Sequence, residues 1–230
     1  MSDREQRLAR IAATVCASLS GAAFEHEGSV FKRVVGDGIV QLVEFRFGYG
    51  GPDVEDGVDP ADLPVDPFKV QLGARVVASS AEERLRVGGL EVDVRAGLGQ
   101  ASSGEFEYWF VAGHPDPSDP YWQLRWPEKA AGEITRLLDS AGERWFSRFD
   151  TFGHAMATLE TLSPLDYTLT DAPPRVIALR IYGERGDHAD AQRVLDQHVT
   201  ANDWPPRHLE WLAERAELYG IQMPPIHKSR

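Results

Sequence analysis

Apolar positions along the chain divide it into a strand-rich first part and a helical second part. Residues 3–20 place apolar side chains every three or four positions, which predicts an amphipathic helix that ends at Gly21. Two segments rich in β-branched and aromatic residues follow, at 28–35 and 39–47, separated by a Gly-Asp-Gly turn. These two segments predict a β-hairpin.

Further strands are predicted at 68–79, within 85–98 and within 104–113. Strands that cluster first and helices that cluster later favour an α+β fold over an alternating α/β fold. We therefore predict an antiparallel sheet of about five strands with packed helices. The predicted helices start at Pro127 and continue at 151–162, 176–186, 188–199 and 205–220.

Two segments follow from this order, an α+β domain at 1–165 and a helical segment at 172–230. Part of the second segment matches a tetratricopeptide-type helical hairpin, but a solenoid needs at least about three such repeats. The pattern therefore predicts a helical hairpin or small bundle packed on the first domain. The matching residues are Tyr182, Gly186, Ala191 and Leu195.

The charge balance limits the classes of partner that we expect the protein to bind. With 24 basic and 36 acidic residues the net charge is −12, which repels nucleic acid and favours steering toward a basic protein surface. No run of 18 apolar residues or targeting segment is apparent, so no membrane partner is predicted. The single Cys16 is typical of a reducing compartment, and we expect a cytoplasmic protein.

Motifs for catalysis or metal binding all fail on the spacing of their residues. The seven histidines form no HExxH motif and pair with no cysteine, and the acids from Asp53 onward do not follow the EF-hand order. No serine stands in a nucleophile elbow, and no glycine-rich stretch ends as a phosphate loop does. We therefore predict no catalytic residue, no metal site and no cofactor.

An acidic loop between the second and third predicted strands is the most unusual feature. Six acids and no base lie between residues 53 and 66, and interspersed prolines stiffen the segment. It is either a solvated surface insertion or a recognition loop for a cationic protein surface. Its candidate partner-binding residues are Asp53, Glu55, Asp56, Asp59 and Asp62.

An aromatic cluster in a proline-rich connector is the second candidate site. Tyr121, Trp122 and Trp126 either cover the sheet or form an exposed patch of the kind that dominates protein interfaces.

Several segments of the first part share the order and residue types of a known family: Gly21-Ala22-Ala23-Phe24, Gly28-Ser29-Val30-Phe31-Lys32-Arg33, Glu44-Phe45-Arg46-Phe47, Trp126 and Trp145-Phe146. Their order resembles a bacterial domain-of-unknown-function family over about residues 5–165. That family also has a helix followed by a GxxFxR hairpin. The resemblance implies an α+β fold and provides no catalytic residues. Phe45-Arg46 departs from the Asn-Phe-Gln of the family.

Together these patterns favour a non-enzymatic protein-binding protein, of the toxin-neutralising (immunity) or adaptor kind, whose partner has a basic surface. The alternative is an enzyme or small-ligand-binding protein with a site assembled from distant residues. A third hypothesis is a homodimer formed through an apolar face of residues 176–220.

Overall fold

The computed structural model describes residues 3–27, 29–47, 67–76, 85–87, 89–103, 110–111, 127–162, 172–201 and 203–225. Within these residues an antiparallel sheet packs against helices, and the C-terminal helices follow the sheet. The predicted α+β class is therefore confirmed. The described strands are β1 (Glu25–Glu27), β2 (Val30–Val34), β3 (Val40–Phe47), β4 (Pro67–Arg75), β5 (Leu85–Val87), β6 (Leu90–Val92), β7 (Val94–Gly97) and β8 (Phe110–Val111).

Proline and glycine mark several helix boundaries. Pro127 and Pro206 start their helices, because proline fixes the backbone for the first turn and lacks an N–H that would stay unpaired there. A π-helical turn (Leu138–Gly142) joins α3 to α4. The described helices are α1 (Asp3–Gly21), α2 (Leu98–Ser103), α3 (Pro127–Leu137), α4 (Glu143–Phe146), α5 (Phe152–Thr161), α6 (Pro174–Arg185), α7 (His188–Ala201) and α8 (Pro206–Leu218).

The main sheet has the strand order β1-β2-β3-β4-β7, and β8 also pairs with β4. The predicted hairpin is present as β2 and β3, with Val34 opposite Val40. Its turn is a short 3₁₀ segment (Gly36–Gly38) in which Asp37 has φ of 60°. Aspartate tolerates this left-handed conformation better than most residues.

The segment 85–98 forms three short strands rather than the single strand predicted for it. Gly89 has φ of 76°, which reverses the chain and pairs β5 with β6 in a separate two-stranded hairpin. A bend at Asp93 then leads into β7, which joins the main sheet beside β4. The short edge strand β1 was not predicted either, because three residues are too few to give an alternating pattern.

One hydrophobic core extends from the inner face of the sheet into the C-terminal helices. It contains residues from both segments that the sequence separates, so the segments share their packing. Whether 1–165 and 172–230 are separate domains stays a prediction. Core side chains that are at most 1% exposed include Ile11, Phe45, Phe149, Ile177 and Leu195.

Candidate functional site

The partner-binding residues predicted from the sequence all lie outside the described residues, so their roles stay predictions. They are Asp53, Glu55, Asp56, Asp59 and Asp62 of the acidic loop, and Tyr121, Trp122 and Trp126 of the connector. The candidate site below lies on strands that the structure does describe.

The outer face of the sheet, opposite the helices, centres on Gly73 of β4. Leu42 of β3 and Arg95 of β7 stand on either side of Gly73 in the strand register. The β5–β6 hairpin lies directly over this glycine, since a Cβ there would come within 2.9 Å of Val87 Cγ2 and 3.0 Å of Val92 Cγ1. Only glycine permits so close an approach. We define the hairpin face as Val40, Leu42, Glu44, Gln71, Gly73, Arg75 and Arg95.

The hairpin face has an apolar half and a polar half. Val40 and Leu42 form a small buried cluster with Val87 and Val92 of the hairpin, separate from the main core. The apolar half therefore holds the hairpin in place by burial of hydrocarbon surface.

The polar half consists of partly buried side chains from β3, β4 and β7. Glu44 stands directly opposite Gln71, at a separation that is typically about 5 Å between Cβ atoms. Arg95 is diagonal to Gln71 and to Arg75, at about 7–8 Å between such positions. Antiparallel pairing thus brings together residues from distant parts of the sequence.

Three polar atoms of this half are buried and have no hydrogen-bond partner in the described part of the chain. They are Glu44 Oε2, Gln71 Oε1 and Arg95 Nε. Folded proteins pair nearly all buried polar atoms, because an unpaired one destabilises the fold by about 1–3 kcal/mol. Two acceptors and one donor of the polar half therefore have no partner within the described residues.

The polar network around Arg33 differs from the polar half of the hairpin face, because its hydrogen bonds are made within the protein. Its guanidinium lies over the rings of Phe24 (4.5 Å) and Phe146 (5.2 Å). It donates hydrogen bonds to Gln41 Oε1 (2.7 Å), to the Ala22 carbonyl (3.2 Å) and to Glu143 Oε2 (3.1 Å). Gln41 donates in turn to two backbone carbonyls. This network fixes the helices on the sheet.

A second closed network lies between α5, α6 and α7. Arg193 donates from both terminal nitrogens to the Glu160 carboxylate (2.6 and 2.9 Å), and the Tyr182 hydroxyl donates to Glu160 Oε1 (3.0 Å). The hydrogen bond from Arg193 lowers the pKa of Glu160. Burial, with the bond to Glu160, raises the pKa of Tyr182 to about 12. These shifts follow from ion pairing and burial within the fold.

Two histidines form a pair where α7 meets α8. The Nε2 atoms of His198 and His208 are 3.0 Å apart, and their ring centroids are 5.4 Å apart. For two imidazole rings whose Nε2 atoms are 3.0 Å apart, a centroid distance of 5.4 Å is close to the maximum. The two nitrogens therefore point at each other, as in an N–H···N hydrogen bond. A chelated metal ion would need both lone pairs to converge on one point beside that line. The pair therefore joins two helices.

Cys16 lies near a histidine, as the nucleophile of a Cys-His dyad does, but the catalytic arrangement is incomplete within the described residues. Its Sγ lies 3.7 Å from His26 Nδ1 and 3.6 Å from Ser20 Oγ. Within the described residues no third group hydrogen-bonds to His26, whose ring stacks on Phe31. A nucleophilic cysteine needs its base oriented by such a group.

In the part of the chain that the structure describes, no group of three or more His, Cys, Asp and Glu side chains is arranged to hold a metal ion. None of the described helices is both long and apolar enough to cross a membrane.

Comparison with known proteins found no matching family model, no matching curated protein and no matching solved structure. The resemblance stated from the sequence stays a prediction.

Proposed function

We propose that this chain is a non-enzymatic binding protein whose partner is another protein with a basic surface. The observation that carries the proposal is the adjacent pair of buried acceptors, Glu44 Oε2 and Gln71 Oε1, neither of which is hydrogen-bonded in the described part of the chain. An ammonium or guanidinium group of a partner is the complement of two such oxygens.

Long-range electrostatics support the same partner. The net charge of −12 attracts a cationic surface from a distance and raises the rate of encounter. Glu44 then provides a local contact, because a partly buried carboxylate is screened less by salt than an exposed one. An inhibitor or adaptor would bind its partner in this way.

A lysine peptide tests the proposal directly. We would titrate the protein with acetyl-Ala-Lys-Ala-amide and follow the side-chain amide signals of Gln71 by ¹H–¹⁵N NMR. We expect a saturable shift, which Glu44→Gln removes because the charged hydrogen bond is lost. The same peptide with norleucine in place of lysine matches its hydrocarbon chain and should leave the signals unchanged.

Glu25→Gln is the matched control variant, since Glu25 is an exposed acid on the same outer face of the sheet. It removes the same charge and should leave the titration intact. Equal responses to the lysine and norleucine peptides, or an effect of Glu25→Gln as large as that of Glu44→Gln, would refute the proposed contact.

A small-ligand-binding protein is the second candidate, favoured by the origin of the hairpin face in three strands far apart in sequence. A free amine-bearing ligand would use the same two acceptors. Competition separates the two candidates: free lysine that displaces the peptide at equal concentration indicates a small ligand, whereas a peptide that binds much more tightly indicates a protein partner.

A further inference from the structure

Arg75 and Arg95 form a second feature of the hairpin face, independent of the two acceptors. Gly73 stands opposite Arg95, and Arg75 lies two residues further along β4. The two arginine positions are thus diagonal neighbours on one face, at about 7–8 Å. Both side chains are partly buried.

Neither arginine forms an ion pair or side-chain hydrogen bond within the described residues, and the Nε atom of Arg95 is buried without a partner. Two like charges so close together repel each other, and partial burial strengthens the repulsion because the local dielectric constant is lower. Arg86 of β5 differs in this respect, because its guanidinium lies 3.8 Å from the Glu91 carboxylate.

We propose that Arg75 and Arg95 form a binding site for an oxyanion, a carboxylate or a phosphate group. The planar guanidinium presents several N–H donors in a fixed fork that fits the oxygens of either group. An oxyanion bound by both guanidinium groups relieves their mutual repulsion and provides an acceptor for Arg95 Nε–H. The local positive charge stands out in a chain whose net charge is −12.

The site stands whether or not Glu44 and Gln71 bind a basic side chain. Glu44 lies on β3, and β4 separates that strand from β7, which carries Arg95. Gln71 lies between the two groups in the register. A ligand that filled both parts would carry a positive and a negative group.

Sodium acetate and sodium phosphate are the probes. Each would be titrated at pH 7.5 against sodium chloride at constant ionic strength, with the arginine Nε–Hε signals followed by ¹H–¹⁵N NMR. We expect a saturable shift of the Arg95 signal. Saturation by acetate identifies a carboxylate site, saturation by phosphate a phosphate site, and saturation by both an unselective oxyanion site. Each of these outcomes supports the proposal.

Arg75→Gln leaves the Arg95 signal observable and should weaken the anion affinity by at least about tenfold, which corresponds to about 1.4 kcal/mol. Arg86→Gln, at an exposed arginine of the overlying hairpin, is the matched control and should leave the affinity unchanged. A linear response shared by the signals of Arg86 and Arg95, or an unchanged affinity in Arg75→Gln, would overturn the proposal. Glu44→Gln, which removes the lysine-peptide contact, should leave this titration intact, so the two proposals fail separately.

Discussion

The guanidinium of Arg180 on α6 donates a hydrogen bond to the buried carboxylate of Asp93, with 2.7 Å between Nη2 and Oδ1. Asp93 is fully buried, and its other oxygen accepts the Val76 N–H at 2.7 Å. Asp93 occupies the bend between β6 and β7. This ion pair therefore connects the start of β7 to α6, one of the C-terminal helices.

Breaking this pair should strongly destabilise the fold. Asp93→Asn or Arg180→Met leaves one buried charge without its counter-ion, and we expect the free energy of unfolding to fall by about 3–5 kcal/mol. Urea denaturation followed by circular dichroism measures the change. Arg193→Met is the comparison, because that ion pair is partly exposed and should contribute less. Equal losses in Arg180→Met and Arg193→Met would contradict this assignment.

The His198–His208 pair should make stability depend on pH. Burial, together with the charges of His208 and Arg175, lowers the pKa of His198 to about 4, and burial also lowers the pKa of His208. The unfolded chain then binds more protons than the folded protein below about pH 6.5. The stabilisation is complete above that pH and is lost as the pH falls toward 4. We expect His198 to account for a loss of about 2 kcal/mol between pH 7 and pH 5.

Urea denaturation at several pH values tests this dependence. His198→Gln should flatten the pH profile between 7 and 5, because the titrating group is gone. His188→Gln replaces an exposed histidine at the start of the same helix and should leave the profile unchanged. A wild-type profile that is already flat in this window would refute the coupling.

The sequence was sufficient for the elements whose pattern is local. Gly21, Pro127 and Gly186 end or begin helices as predicted, and Gly186 adopts φ of 78° at the end of α6. These signals depend on backbone conformation at one position. The division of residues 85–98 into β5, β6 and β7 was not predictable in the same way. It depends on the pairing of β7 with β4, which is not a local property of the segment.

The hairpin face could be inferred from the sequence only in part. Alternation in β3 places Glu44 on the same side as Val40 and Leu42. Its neighbours Gln71 and Arg95 lie on β4 and β7, which pair with strands far away in the sequence. The sequence of one strand does not show which other strand it pairs with. The acidic loop was prominent in the sequence because its charges are contiguous. Contiguous features are therefore easier to recognise in a sequence than sites formed by long-range strand pairing.

A close contact between α6 and the residue after α8 gives a third prediction. A Cβ on Gly183 would overlap the ring of Tyr219, which is 7% exposed. Gly183→Ala should therefore lower the free energy of unfolding by about 1–3 kcal/mol, since the ring has to move. Gly132→Ala on α3 is the matched control: its Cβ would meet no atom within 4 Å, and it should stabilise by about 0.5–1 kcal/mol. Thermal unfolding distinguishes the two, and stabilisation by both would show that Tyr219 is not fixed against α6.

Substitution by methionine should change the free energy of unfolding in opposite directions at Arg95 and at Arg33. Arg33 satisfies Gln41, a backbone carbonyl and Glu143, so Arg33→Met leaves the fully buried Gln41 Oε1 unpaired and should lower the free energy of unfolding by about 2 kcal/mol. Arg95 has a buried Nε without a partner, so Arg95→Met removes an uncompensated polar group and should raise the free energy of unfolding by about 1 kcal/mol in the absence of oxyanions. Such a gain indicates a residue retained for binding, because functional groups are often kept at a cost in stability. Urea denaturation in chloride buffer measures both variants. Destabilisation by Arg95→Met comparable to that by Arg33→Met would assign Arg95 to the fold and remove the energetic basis for an oxyanion site.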